Sequence, residues 1–97
     1  MITWVLYDIT NDRARTRVAK FCRQAGLYRV QYSAFLGTLE NANELDELQL
    51  RIEAEIDPDV DKVYLFPMNK AQLNRAVLLG QAFDKKLVTD EVYALFF

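Results

Sequence analysis

A chain of 97 residues has room for one domain with one modest core, and a content of 52% apolar residues, with six Phe, five Tyr and one Trp, excludes disorder. The sequence has no His, which removes the usual general base, the usual zinc ligand and every Ser/His or Cys/His nucleophilic arrangement. The net charge of -2 speaks by itself against a nucleic-acid partner, but it averages over two unlike halves.

Ile2 to Asp8 alternates Ile2/Trp4/Leu6 with Thr3/Val5/Tyr7, apolar on both phases, as a central strand buried on both faces would be. Met1 leads straight into this strand with no signal-peptide pattern, and no stretch approaches the ~20 apolar residues of a membrane span. A cytoplasmic protein with no membrane association is therefore expected. Ile9-Thr10-Asn11-Asp12 supplies turn and N-cap residues. From Asp12 to Ala25 the residues Ala14, Val18, Phe21, Cys22 and Ala25 recur at helical spacing, and Gly26 stands where a C′ glycine belongs. Cys22 is the single cysteine, so no intrachain disulfide can form; on an apolar stripe it reads as core filler in a reducing compartment.

Charge separates along this part of the chain. Up to Gly37 the basic residues are Arg13, Arg15, Arg17, Lys20, Arg23 and Arg29, against only Asp8 and Asp12; beyond it acids outnumber bases. Such asymmetry implies one basic face, unless the helix merely carries a solvated charged side. Arg13, Arg17 and Lys20 share one polar face of that helix, and Arg15 lies on the other flank of its apolar stripe.

Tyr28 to Leu39 is rich in aromatic and β-branched residues. It reads as one long strand or as two strands meeting in a tight turn near Ser33, with Gly37 as the expected kink or bulge. A second helix is expected from Ala42 to Ile56, with Leu45, Leu48, Ile52 and Ile56 on one stripe, ended by Asp57-Pro58-Asp59. Lys62 to Phe66 reads as a strand closed by Pro67, Lys70 to Leu79 as a weaker helical or turn segment, and Val92 to Phe97 as a last strand. The order predicts an α+β, ferredoxin-like βαββαβ fold in a single domain over residues 1–97, with an extra C-terminal strand. An apolar strand left at a sheet edge invites aggregation, and in a homodimer it would pair with the partner subunit's sheet. The high apolar content also points to a partner chain.

Asp8 ends the first strand, where sheets of this kind open towards ligands, although an aspartate there can equally cap the helix that follows. One carboxylate is a poor metal site; Mg²⁺ takes one or two, with waters and substrate phosphates, so a two-fold axis near Asp8 would be needed to complete one. Asp57, Asp59 and Asp61 resemble the opening of a calcium loop, but Lys62 stands where glycine is required and Met68 where Glu is required. Asp8-Ile9-Thr10 lacks the second aspartate of a phosphoaspartyl transferase, and no Gly-rich phosphate loop exists. Arg13, Arg17 and Lys20, with Arg29 and Gln31 on the following strand, would form a phosphate-binding face. Tyr7 and Phe35 would offer stacking surfaces to bases; core packing is the plainer use of both rings.

Tyr7-Asp8-Ile9-Thr10-Asn11-Asp12, Arg15-x-Arg17-Val18-Ala19-Lys20, Gly26-Leu27 and Arg29-Val30-Gln31-Tyr32-Ser33-Ala34-Phe35-Leu36-Gly37 together resemble the CRISPR-associated "Cas two" family, the small subunit of spacer acquisition in antiviral defence. Weaker agreement continues through Ile56-Asp57-Pro58, the strand ending in Pro67, and Leu79-Gly80; Ala34 departs from the usual Val. The resemblance implies a homodimer of ferredoxin-like subunits acting as a Mg²⁺-dependent endonuclease on single-stranded RNA or double-stranded DNA. Asp8 of both protomers would hold the Mg²⁺ ion, which activates water and so needs no imidazole base. By motif matching, Tyr7, Arg15, Arg17, Arg29 and Phe35 fall on positions implicated in activity or substrate contact. The resemblance also implies an alternative, a non-catalytic DNA-binding scaffold that bridges two dimers of the integrase subunit. A toxin-like ribonuclease of the same fold outside CRISPR loci is a more distant reading.

Overall fold

The computed structural model describes residues 1–85. Among these the elements are β1 (Ile2–Asp8), α1 (Asp12–Gln24), β2 (Tyr28–Gln31), β3 (Ala34–Thr38), α2 (Ala42–Glu55), β4 (Lys62–Met68) and α3 (Lys70–Arg75). The four strands form one sheet in the order β2-β3-β1-β4, with every neighbouring pair antiparallel. α1 and α2 each cross from one strand to a parallel strand two places away, so two split βαβ units interleave, which is the ferredoxin-like arrangement. The expected terminal strand over Val92 to Phe97 lies outside the described residues.

The alternation along β1 separates two layers. Val5 and Tyr7 join Val18, Cys22, Phe35, Leu48 and Ile52 in the core between sheet and helices. Ile2 and Trp4 face the other way, where Leu36 and Leu73 form a smaller cluster with Met68 and Phe83 against it. Burying β1 on both faces is what its apolar content on both phases demands. On α1 the buried stripe is Ala14, Val18, Ala19 and Cys22. Its start is set by Asn11, whose side chain accepts from Ala14 N at 2.9 Å. Asn41 caps α2 in the same way, accepting from Glu44 N at 3.1 Å, and Glu44 reaches back to Glu40 N at 2.7 Å.

Several boundaries differ from expectation. Tyr28 to Leu39 is two strands, turning at Tyr32 and Ser33, and the register irregularity lies between Arg29 and Gln31 rather than at Gly37. Gly37 is needed for close approach: a Cβ there would stand 2.9 Å from Leu27 Cα and 2.8 Å from Leu27 Cδ2. The connection between α1 and β2 therefore crosses directly over β3. β4 runs through Pro67 to Met68 instead of stopping before it, which an edge strand permits. α3 ends at Arg75 because Ala76 adopts an extended conformation.

Candidate active site

Asp8 is the last residue of β1 and stands on the sheet face turned away from α1 and α2, paired in register with Lys62 of β4. Helix capping does not occupy it, because Asn11 performs that task. Among the described residues the Asp8 carboxylate has no hydrogen-bond or ion-pair partner, and it is exposed. It lines an open cleft of about 460 Å³ with Leu6, Gln31, Tyr32, Lys62 and Tyr64. The turn at the rim is fixed to β1, since Tyr7 N donates to the Ser33 carbonyl at 3.0 Å.

Behind the sheet lies a compact arginine and aromatic cluster. The Tyr7 and Phe35 rings stack at 6.3 Å between centroids. The Arg29 guanidinium lies 5.2 Å from the Phe35 centroid and donates to the Tyr7 hydroxyl at 3.4 Å. Arg23 approaches the same Phe35 ring at 5.9 Å. With Tyr7 6% and Phe35 0% exposed, neither ring has a face for a base, so the stacking expectation is corrected. Both are core residues that hold Arg29 in place.

The basic residues divide differently from the face read in the sequence. Arg17 turns to α2 and pairs with Glu55 at 2.9 Å. Arg15 donates to the Ile9 carbonyl at 3.1 Å and pairs with Asp12, which holds its guanidinium charged even more firmly than usual. Arg29 shares the Phe35 ring with Arg23, while Arg13 and Lys20 stay exposed on α1. Burial pushes the Cys22 thiol up to about 12, so it is neither a nucleophile nor a metal ligand at neutral pH.

Among the described residues no three Cys, Asp or Glu side chains cluster closely enough to hold a metal ion. The chain therefore offers an unpartnered carboxylate, that of Asp8, at an open cleft. That donor suits Mg²⁺, which keeps several waters and uses few protein ligands, and does not suit a closed zinc or calcium cage. Lys62 and Tyr32 are site-lining residues that sequence reasoning passed over. Lys62 becomes Asp8's neighbour only through strand register, and Tyr32 reaches the rim only through the β2–β3 turn.

Fold and site together define a small ferredoxin-like α+β protein with a strand-end carboxylate beside an arginine-bearing flank. A family model described as CRISPR associated protein Cas2 matches residues 1–76, and the chain belongs to that family. It is 35% identical over 80 residues to CRISPR-associated endoribonuclease Cas2 1 of Archaeoglobus fulgidus, covering 82% of this chain and 84% of that one. It is 37% identical over 83 residues to CRISPR-associated endoribonuclease Cas2 2 of Chloroflexus aurantiacus, covering 82% and 93%. Among solved structures it superposes on Streptococcus pyogenes Cas2 with a TM-score of 0.71 at 27% identity, over 82% of this chain and all (100%) of that one. No helix among the described residues is long and apolar enough to cross a membrane.

Proposed function

We propose that the chain acts as a homodimeric, Mg²⁺-dependent endonuclease of CRISPR spacer acquisition, hydrolysing phosphodiester bonds of single-stranded RNA or double-stranded DNA. The observation that carries this reading is Asp8: exposed, released from capping by Asn11, and without a partner among the described residues. A carboxylate with no structural duty at a strand end is available for chemistry. The names of the relatives as endoribonucleases support the same reaction class.

In this reading Asp8 of each of two protomers would hold the Mg²⁺ ion, which when bound would supply water activation and charge neutralisation at the scissile phosphate. The Lys62 ammonium, across the ladder from Asp8, offsets phosphate charge within the cleft. Arg29, braced by Tyr7 and Phe35, and Arg15, braced by the Ile9 carbonyl, present guanidiniums to flanking phosphates without having to be ordered on binding. The alternative, a scaffold that binds duplex DNA and bridges dimers of an integrase partner, draws support from Arg13 and Lys20, which are exposed on α1. It requires the basic surface and not Asp8.

The test is cleavage of labelled single-stranded RNA and duplex DNA with and without Mg²⁺, comparing wild type with Asp8→Ala. The variant should melt like wild type, because Asp8 makes no contact that folding depends on, and its metal-dependent cleavage should fall at least 10²-fold, roughly the scale of losing a principal catalytic group. Cleavage that survives in Asp8→Ala removes the nuclease reading. Duplex binding by both proteins with no cleavage by either favours the scaffold.

A further inference from the structure

Tyr32 presents an oddity that the fold does not explain. It stands in the β2–β3 turn with 73% of its surface in water, while Tyr7 and Phe35 nearby are buried. An aromatic side chain left in solvent contributes little to the core. The ring is nevertheless held. The Arg29 guanidinium lies 6.0 Å from its centroid, and the turn itself is tied to β1 through the Tyr7 N to Ser33 carbonyl hydrogen bond at 3.0 Å. After Asp12, the Tyr32 phenol is one of the groups that favour the charged form of Arg15. The same side chain lines the cleft that holds Asp8. One exposed ring thus touches the Arg29 guanidinium from one side of the sheet and lines the cleft that holds an unpartnered carboxylate on the other.

We propose that Tyr32 is a positioning residue for the strand handled at Asp8: its ring receives an unstacked base while Arg29 and Arg15 meet the neighbouring phosphates. The inference rests on the nucleic-acid reading of the Asp8 cleft given above. Bases inside a duplex already stack on each other, so a ring on a turn selects a single-stranded polynucleotide or a frayed end. Stacking of this kind tolerates any base, because every base has a π-face, and it is compatible with either sugar. Arg29 against the ring strengthens the platform and brings its charge close to the strand.

The experiment uses the full chain in EDTA, so that binding is read without cleavage. The probes are short single strands of RNA and of DNA carrying 2-aminopurine, with a duplex of matched length as control. Wild type should bind single strands of at least one sugar and change the 2-aminopurine emission. Tyr32→Ala should weaken that binding roughly ten-fold and abolish the emission change. Tyr32→Phe, which keeps the ring, should retain both, and duplex binding should be the same for all three proteins. The ratio of RNA to DNA affinity identifies which sugar the site prefers. Equal single-strand binding by wild type and Tyr32→Ala overturns the proposal. So does loss of binding in Tyr32→Phe, which would assign the effect to the hydroxyl, and so does a wild type that binds no single strand. A separate cleavage assay of wild type and Asp8→Ala with Mg²⁺ in place of EDTA distinguishes the two readings: if cleavage by Asp8→Ala is unimpaired while the Tyr32 effect on binding persists, the nuclease reading fails and the positioning role stands.

Discussion

The Asp61 carboxylate accepts from Thr10 N at 3.0 Å through Oδ1 and from Asp57 N at 2.9 Å through Oδ2. These bonds join the loop after β1 to the loop before β4, the two loops that flank Asp8 and Lys62 at the same end of the sheet. The backbone donors of Thr10 and Asp57 hold the Asp61 carboxyl below the usual carboxylate range. A group whose folded-state pKa is depressed stabilises the fold above its unfolded value, about 3.9 for Asp, and loses that contribution as pH falls through the folded value. Asp61→Ala should therefore lower the urea midpoint at neutral pH, and its deficit relative to wild type should shrink as pH drops below about 4. Other carboxylates titrate alike in both proteins and cancel from the difference. A deficit that stays constant down to strongly acid pH would show that the charge of Asp61 has no part in it. Asp57, Asp59 and Asp61, which open like a calcium loop in the sequence, thus have a different use here: Asp61 receives backbone donors, and Asp57 Oδ1 accepts from Asp59 N at 3.0 Å.

At the scale of elements, the β3 strand depends on Gly37. Its Cα lies so close under the α1–β2 connection that any side chain would press on Leu27 Cα, which is backbone and cannot swing aside. Gly37→Ala should destabilise the protein by about 1–3 kcal/mol, the usual cost of overpacking, measured by chemical denaturation with no change in slope. A neutral result would mean that the connection can lift off the sheet. A single sequence could not reveal this use of the glycine, because the approach is between segments ten residues apart whose crossing is a tertiary fact. The helices were legible: their apolar residues repeat at the helical period, and Asn11 and Asn41 mark their starts. The division of Tyr28 to Leu39 was only partly legible, since a run apolar on both phases looks the same as one strand or two. Asp8 was legible as a strand-end carboxylate. Its freedom from capping was not, because Asn11 and Asp12 compete for the same role in sequence and only the Ala14 N to Asn11 hydrogen bond decides between them. Tyr7, Arg29 and Phe35 were read as one group and do come together, but on the far side of the sheet from the Asp8 carboxylate.

For the whole molecule, the face of the sheet that carries Asp8 is the one left incompletely covered. Tyr64 and Phe66 on β4 are 55% and 46% exposed, and Val77 and Leu79 in the segment after α3 are 80% and 86% exposed. Apolar side chains exposed at that level are costly in water and suit burial against a partner. The homodimer proposed above would bury it and, by two-fold symmetry, bring each Asp8 to the side of the molecule where the other lies. Sedimentation equilibrium should then report twice the 11.3 kDa chain mass, and Phe66→Asp, which places a charge in the apolar face at a residue that does not itself line the Asp8 cleft, should shift the protein to monomer while leaving its helix content unchanged. Metal-dependent cleavage should disappear together with the dimer, since a lone Asp8 leaves the cation with one protein ligand. A wild type that sediments as a monomer at all accessible concentrations would remove the paired-carboxylate mechanism outright. The exposed face would then have to serve a different protein, which is what the scaffold reading requires.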